Sequence, residues 1–585
     1  MIIPSASTTS IFSQAPAFLT CAVAFAASAF ASVTSAVASV VPTLPPFASA
    51  AFLPLPSVGT ATISTHPSGS VVVTTATATT ANAAVGSQTI QGPRKLPVSP
   101  IDRLSDNILA RIIGLSRSVA VPVAVSIEQD REQAYYAPRH VSKRWRSVVV
   151  NSPVLWTSFA LPSSYCARFL ALSGSLPLDI SIGHHMQRRR LTILDLSPII
   201  GRLRSITFIQ SHALRDADLQ KFAWLNRPMP SLESFAIHVH AQGPEAVGRA
   251  DRTFNEGGQG GLGSLTGAAP RLKELSMSRA YVPFNLHGLV RLHLSRIHFV
   301  VTSMRQLFIT IVNSPALEEL TFEDISLPPD QMQHLNISVV PLARLERLVI
   351  HDSGFWLTSH ILARLTTSPS AHLDIRVFAP HEVGLRSIIP ENVARLANVK
   401  ALREARVFAM EHTFNSRTMS VHIEGHAYVS EGGGSLRVII DCAKQTTVLY
   451  DIFANLNLLL PARLDALFLQ SWENEVWQMQ PSSSDLATVL YPFKHLRELT
   501  LAYCHRFLVE SLILSKRQQN CPRLHRLRVL GEVGEPQVIP VARSRSIAIK
   551  FPRLQTIEIG RCWAITDDTV RRLAELVDNV TLIDE

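Results

Sequence analysis

Cysteine is scarce and never clustered. Six residues (Cys21, Cys166, Cys442, Cys504, Cys521 and Cys562) are spread singly over 585 positions, with no Cys-x-x-Cys. That excludes a disulfide-built scaffold and a clustered zinc finger, and reduced thiols in a chain this long suit the cytosol or nucleus. Catalytic signatures are missing as well. The glycines at 257–263 are not followed by Lys-Ser/Thr, and the chain has no His-Glu-x-x-His and no nucleophile elbow. His184-His185 and His238/His240 lack the neighbouring acids or thiols that would complete a metal site, and Arg188–Arg190 reads as a solvated turn. No catalytic residue, metal or cofactor is expected.

Charge is missing from the first 93 residues; Arg94 is the first charged position. That tract is rich in Pro, Ala, Ser, Thr and Val, as in Val71–Thr80, and buries too little large apolar surface to offset chain entropy. Residues 1–94 are therefore expected to be a low-complexity, disordered tail. Within it Ala17–Val41 is uncharged and long enough to raise a membrane segment as an alternative, although no basic cluster flanks it to set an orientation. The other 492 residues carry all 100 charges, about the density of an ordinary globular chain. The net charge is +10 and the apolar fraction 46%.

A short helical module is expected over 95–165. Ser99-Pro100-Ile101-Asp102 has the form of a helix start, and Ser105-Asp106-Asn107 could restart it. Leu104, Ile108, Leu109, Ile112 and Ile113 recur at helical spacing, and Gly114 is expected to stop the run. A second helix is read from Val141, Trp145, Val148 and Val149, which share a face with Lys143, Arg144 and Arg146 outside it. Asn151 and Ser152 end it, and Pro153 opens a turn carrying Leu155 and Trp156. So small a module cannot hide all of these apolar side chains within itself, and the remainder marks a partner site. From Arg94 to Ala160 there are 10 basic and 5 acidic residues, which favours an acidic protein partner; nucleic acid is the lesser alternative.

Ile101–Ile113, Val141–Trp145 and Ser152–Trp156, in that order, resemble the F-box, most closely the fungal F-box proteins with a serine-proline-x-leucine-tryptophan turn. Ser105 stands where that family usually has proline, and Val141-Ser142 where valine-cysteine is common. The resemblance implies docking on a Skp-family adaptor and through it a cullin ubiquitin ligase. It implies an apolar contact made by Leu104, Ile108, Leu109, Ile112, Val141 and Trp145.

From residue 200 a pattern of leucine, two residues, an apolar residue, one residue and a further apolar residue returns. It occurs at Leu203, Leu232, Leu272, Leu289, Leu317, Leu345, Leu464, Leu496, Leu524 and Leu554. The spacing is 28 residues from Leu289 to Leu317 to Leu345, and proline often stands two positions before the leucine, as at Pro230, Pro270, Pro315, Pro522 and Pro552. This period lies in the leucine-rich-repeat range. Each unit is too short to bury its own apolar face, so neighbours must stack. The expected fold is α/β: the small helical F-box, a linker or cap over 166–199, then a parallel-sheet solenoid over 200–585. Residues 351–463 lose the pattern, yet His372–Phe378, Met419–Glu424 and Leu436–Cys442 still alternate like strands.

Arg497–Leu530 and Pro552–Leu576 resemble cysteine-containing leucine-rich repeats. Cys504, Cys521 and Cys562 are accordingly expected to be turn or core thiols. Thr566 should cap a last helix whose Val570, Leu573, Ala574 and Val577 face inward. The outward strand positions form the candidate concave face: Glu274, Ser276, Ser278, Arg291, His293, Ser295, Glu319, Thr321, Glu323, Arg347, His351, Glu498, Thr500, Arg526, Arg528 and Glu558. Acids, bases and hydroxyls are mixed there, which argues against a phosphate groove. The expected function is a non-catalytic substrate receptor of a Skp–cullin–F-box ligase, cytoplasmic or nuclear. The alternatives are a non-ligase protein-binding scaffold whose helical module only caps the array, and a membrane-tethered recognition protein.

Overall fold

The computed structural model describes residues 103–119, 142–161, 166–183, 196–210, 227–239, 269–328 (less 280 and 282–285) and 338–379. It continues over 385–411 (less 391–392 and 394–395), 418–471 (less 429–432, 444–450 and 453), 483–561 (less 505, 516–518, 532 and 549) and 565–583. The tail, Ala17–Val41, Val141, Cys562, the His184-His185 pair and Arg188–Arg190 lie outside the described residues.

Helix α1 (Asp106–Val119) begins at the restart signal: the Leu109 N–H donates to the Ser105 carbonyl at 3.0 Å. Gly114 does not end it. A glycine inside a helix costs about 1 kcal/mol against alanine, and here five further helical residues follow it; a Cβ at Gly114 would touch Leu155 at an ordinary 3.6 Å. Helix α2 (Lys143–Asn151) is capped by Ser142, whose hydroxyl accepts from the Trp145 N–H at 3.2 Å. Arg144 ties the two helices, its guanidinium 2.8 Å from Asp106. A 3-10 turn, Pro153–Trp156, follows as expected from Pro153.

The sheet starts earlier than the sequence pattern suggests. Strand β1 (Ser158–Leu161) and, after helix α3 (Cys166–Leu172), strand β2 (Leu178–Ile182) pair in parallel, and β2 pairs with β3 (Leu203–Gln210). The segment read as a linker over 166–199 therefore contributes a strand. β2 has the alternating apolar pattern Leu178, Ile180, Ile182, all buried, but not the leading leucine of the repeat.

The repeat becomes a ladder. β4 (Ser234–Val239), β5 (Glu274–Ser278), β6 (Arg291–Ser295), β7 (Glu319–Glu323) and β9 (Arg347–His351) continue the parallel pairing, with Leu275, Leu292, Leu320 and Leu348 in direct register. β8 (Val340–Leu342) pairs separately with β10 (Leu365–Thr367). Helices α4 (Val301–Val312) and α5 (Phe355–Arg364) fill two of the crossovers.

The proline that precedes so many repeat leucines has a local cause. In Met229–Leu232, Ala269–Leu272, Ser314–Leu317 and Cys521–Leu524 the leucine N–H donates to the carbonyl three residues back, at 3.1–3.2 Å. Proline is then the second residue of a four-residue turn, where its fixed φ is already right. The strands end alike too. Arg279, Arg296, Asp324, Asp352, Tyr503, Gly531 and Arg561, each the residue after a strand, have positive φ. Five of these N–H groups, on Arg279, Arg296, Asp324, Tyr503 and Gly531, donate to the last carbonyl of the next strand in the sheet, and that of Asp352 donates to the Arg376 carbonyl. At Gly531 (φ +109°) an added Cβ would lie 3.1 Å from Tyr503 Cα, so glycine is required there.

Residues 351–463 keep the sheet but not its direction. β11 (His372–Ala379) pairs in parallel with β9 and with β14 (Ser435–Ala443); β14 pairs antiparallel with β13 (Thr418–Ala427), and β13 antiparallel with β12 (Leu402–Glu411). β12 then resumes parallel pairing with β15 (Ala466–Ser471). The expected strands are present, but the expected parallel run is broken by two reversals, because closely connected strands pair as antiparallel hairpins. Short helices α6 (Leu385–Ile388) and α7 (Ala397–Ala401) lie between β11 and β12.

β16 (Glu498–Ala502), β17 (Arg526–Leu530), β18 (Thr556–Gly560) and β19 (Asn579–Ile583) complete the parallel series. Helix α8 (Ser483–Leu490) precedes β16, and α9 (Arg506–Glu510), α10 (Glu535–Ile547) and α11 (Asp567–Ala574) run between the four strands. Thr566 caps α11, accepting from the Thr569 N–H; Leu573 and Val577 are buried, but Ala574 is exposed. The described molecule is thus a mixed α/β protein around one long, largely parallel sheet of seventeen strands that does not close into a barrel. Among the described residues no helix is long and apolar enough to cross a membrane.

Candidate functional site

Two surfaces follow from the sequence reading. In the helical module, Ile108 is 50% exposed, with Leu115 and Val154 also exposed, while Leu104, Ile112 and Trp145 are half-buried. Leu109 is a correction: it is buried with Ile113, Val148 and Val149 in the continuous core and presents nothing to a partner. Helical spacing puts Leu109 beside Ile108, but the 100° step between neighbours turns one inward and the other out. Leu155 and Trp156 are likewise sealed. The Trp156 indole donates to the Val149 carbonyl at 2.8 Å and its ring meets Phe169 edge-on at 5.2 Å, so the module is packed onto the start of the sheet.

The second surface is the sheet face opposite the leucines. Strand alternation makes it: β5 and β7 bury Leu275, Met277, Leu320 and Phe322 and leave Glu274, Ser276, Glu319 and Thr321 on the other side. Across the strands the first outward row reads Glu274, Arg291, Glu319, Arg347, His372, Ser435, His426, Glu404, Ala466, Glu498, Arg526. Acid and base alternate in register on β5 to β9, and Arg291 bonds Glu274. A second row runs Ser276, His293, Thr321, Val349, Asp374, Arg437, Glu424, Arg406, Phe468, Thr500, Arg528, Glu558.

Several carboxylates on this face have a basic side chain close by. His293 lies 3.5 Å from Glu323, His351 3.2 Å from Asp374, and Arg437 within 4 Å of both Asp374 and Glu424. Arg526 Nε donates to Glu558 at 2.8 Å and Arg528 lies 3.8 Å from the same carboxylate. Glu558 is thereby buried and held, and it leaves the set of accessible face residues, as does Ser295.

A hollow of about 710 Å³ opens on this face over β13, β12, β15, β16 and β17. It is lined by Glu404, Arg406, Glu424, Phe468, Glu498 and Arg528, with Ala466 and Thr500 between them. Of the residues expected from sequence, Glu498, Thr500 and Arg528 are brought together here; Glu274 to His351 lie on the other side of the β11–β14 insertion in the sheet. Glu404, Arg406, Glu424 and Phe468 were not foreseen. The alternation Arg403-Glu404-Ala405-Arg406-Val407 was a usable strand signal, but nothing local placed that strand beside β15.

Three of the described cysteines, Cys442, Cys504 and Cys521, are core groups. Cys504 Sγ points to the Leu469 carbonyl at 3.4 Å, and Cys521 and Cys442 are fully buried, their thiols pushed up to about 12 by desolvation. Among the described residues no group of His, Cys, Asp and Glu could hold a metal ion.

No family model matches the sequence, and no curated protein matches it. Among solved structures, one described as the crystal structure of the Rad7 and Elc1 complex in yeast aligns over 82% of this chain and 87% of that chain. The identity is 12% and the TM-score 0.20, too low to carry any inference.

Proposed function

We propose that the chain is a substrate-receptor subunit of a Skp–cullin–F-box ubiquitin ligase, built as an F-box followed by a leucine-rich-repeat solenoid. The observation that carries this reading is the order of elements: a helix bearing exposed Ile108, a serine-capped helix bearing Trp145, and the Ser152–Trp156 turn. Those are the blocks of the F-box resemblance, and an apolar side chain left in water on a small module favours burial against a partner. The sheet face supplies the target side. The chain contributes positioning alone; the transfer chemistry belongs to its partners, in the cytoplasm or nucleus. Calorimetric titration of the full-length chain with a purified Skp-type adaptor tests it: micromolar or tighter binding is expected, and no heat from a folded chain refutes it.

A second reading, a non-ligase scaffold, is favoured by the packing of Trp156 on Phe169 and of Leu109 into the common core. There the helical module is an end cap, and deleting 95–165 would unfold the sheet without any adaptor being involved.

A further inference from the structure

The first outward row alternates in sign wherever charges stand side by side, with one exception. Glu274, Arg291, Glu319 and Arg347 alternate across β5 to β9, and Glu498 is followed by Arg526. On β12, β15 and β16, however, the row reads Glu404, Ala466, Glu498. Two carboxylates flank a methyl group at the position where the ladder would carry a cation. At a strand spacing of about 4.8 Å their backbones stand roughly 10 Å apart, a gap the width of one side chain. The exception coincides with the hollow, whose wall includes all three residues.

Among the described residues, the nearby cations have ion pairs elsewhere. Arg403 and Arg497 both turn to Asp465, at 3.9 and 3.8 Å. Arg526 is 3.9 Å from Glu498 on the side away from the gap and bonds Glu558 more closely. Arg528 is engaged with Glu558. Arg406 lies one pleat further along β12, next to Phe468 and opposite Glu424. Phe468 is the next outward residue after Ala466 on β15 and lines the same hollow, half-buried. The exposed Tyr428 phenol is shifted up by desolvation and by the charges of Asp465, Glu404 and Glu498, with Arg403 acting the other way.

We propose that this hollow receives an arginine side chain of a protein partner, its guanidinium lying over Ala466 between Glu404 and Glu498 and its plane against Phe468. A guanidinium has donors in two directions for two carboxylates and an apolar face for an aromatic ring, which an ammonium does not. Arg406 is then left to meet a backbone carbonyl or acid of the same segment. The site needs only a peptide-binding face and does not depend on adaptor docking; within the ligase reading it would be the substrate-recognition element.

The test uses the full-length chain immobilised and a positional-scanning library of acetylated nonapeptides. Enrichment of arginine over lysine, and of both over glutamine, at one position is expected. Glu404→Gln and Glu498→Gln should each weaken capture of the selected peptide about tenfold. Ala466→Arg, which supplies the cation from within, should abolish capture while leaving the circular dichroism spectrum unchanged. Should Ala466→Arg fail to fold, the two glutamine variants decide. Capture without basic enrichment, no capture by the folded chain, or capture indifferent to Glu404→Gln and Glu498→Gln would each overturn the proposal. Adaptor titration on the same variants separates the two readings, since the helical module is untouched.

Discussion

The guanidinium of Arg545 reaches the main-chain carbonyl of Cys521 at 3.1 Å, a bond made where neither residue touches solvent. Its other terminal nitrogen takes the Asn520 carbonyl at 2.9 Å. A helix, α10, thereby supplies the donors for the proline turn that leads into β17, in a repeat whose burial leaves no water to do so. Arg545→Met removes both bonds and leaves the buried Asn520 carbonyl without this donor, while the Cys521 carbonyl keeps the Leu524 N–H at 3.1 Å, at a cost of about 2 kcal/mol. Urea denaturation of the two chains measures it; an unchanged midpoint would show that the turn holds without the clamp.

Leu320 stands in the middle of the leucine ladder, fully buried between Leu292 and Leu348. Leu320→Ala should cost about 3 kcal/mol, because the flanking strands hold the cavity open. The same change at the exposed Leu582 should cost less than about 0.5 kcal/mol. Equal losses at the two sites, read from thermal melts, would contradict the ladder as the core.

Thiol accessibility gives a direct chemical check. Burial pushes Cys442 and Cys521 up to about 12, so at pH 7.5 both are protonated and out of reach. Iodoacetamide with peptide mass spectrometry should leave both unmodified in the native chain and label both in 6 M guanidinium. Cys166, half-exposed, should react first of the three.

His422 on β13 is held below its ordinary 6.5 by burial and by the charge of Arg437, with Glu424 and Asp441 pulling the other way. The unfolded chain therefore takes up this proton at a higher pH than the folded one. Its contribution is intact above pH 6.5 and is lost as pH falls through the lower folded value. His422→Asn should flatten the acid limb of a stability–pH curve. A parallel curve for the variant would rule His422 out as the source.

If the proposed ligase role holds, Ile108→Lys should weaken adaptor docking at least tenfold, since it buries an unpaired charge in an apolar contact. The position is half exposed, so the melting temperature should hold. Unchanged affinity in the folded variant would move the contact off this face.

What could be read from the sequence was whatever the chain repeats locally. Leu289, Leu317 and Leu345 recur at the same step, and each leads a strand because each enters the core; Leu317 and Leu345 also close a turn, while the Leu289 N–H donates to the Ser314 hydroxyl. The Ser142 cap and the Pro153 turn were legible for the same reason: their partners lie within three residues. Leu109 was misplaced because spacing identifies a stripe but not its inner edge. The hollow was hidden for a stronger reason. Ala466 is unremarkable until Glu404 and Glu498 are set beside it, and Glu404 arrives from 62 positions away through strands whose alternation does not fix their direction.

The reversal at β13 has a kinetic consequence. In the parallel runs each new strand can settle on the one just made. β11 cannot be followed this way, because its next neighbour is β14, with Ser435 opposite His372. The chain must make β12, β13 and β14 before the first run is covered, and must then return to β12 to seat β15. Growth from the N-terminal side therefore pauses at β11, and the three-strand insertion is the step at which assembly of the two halves is joined.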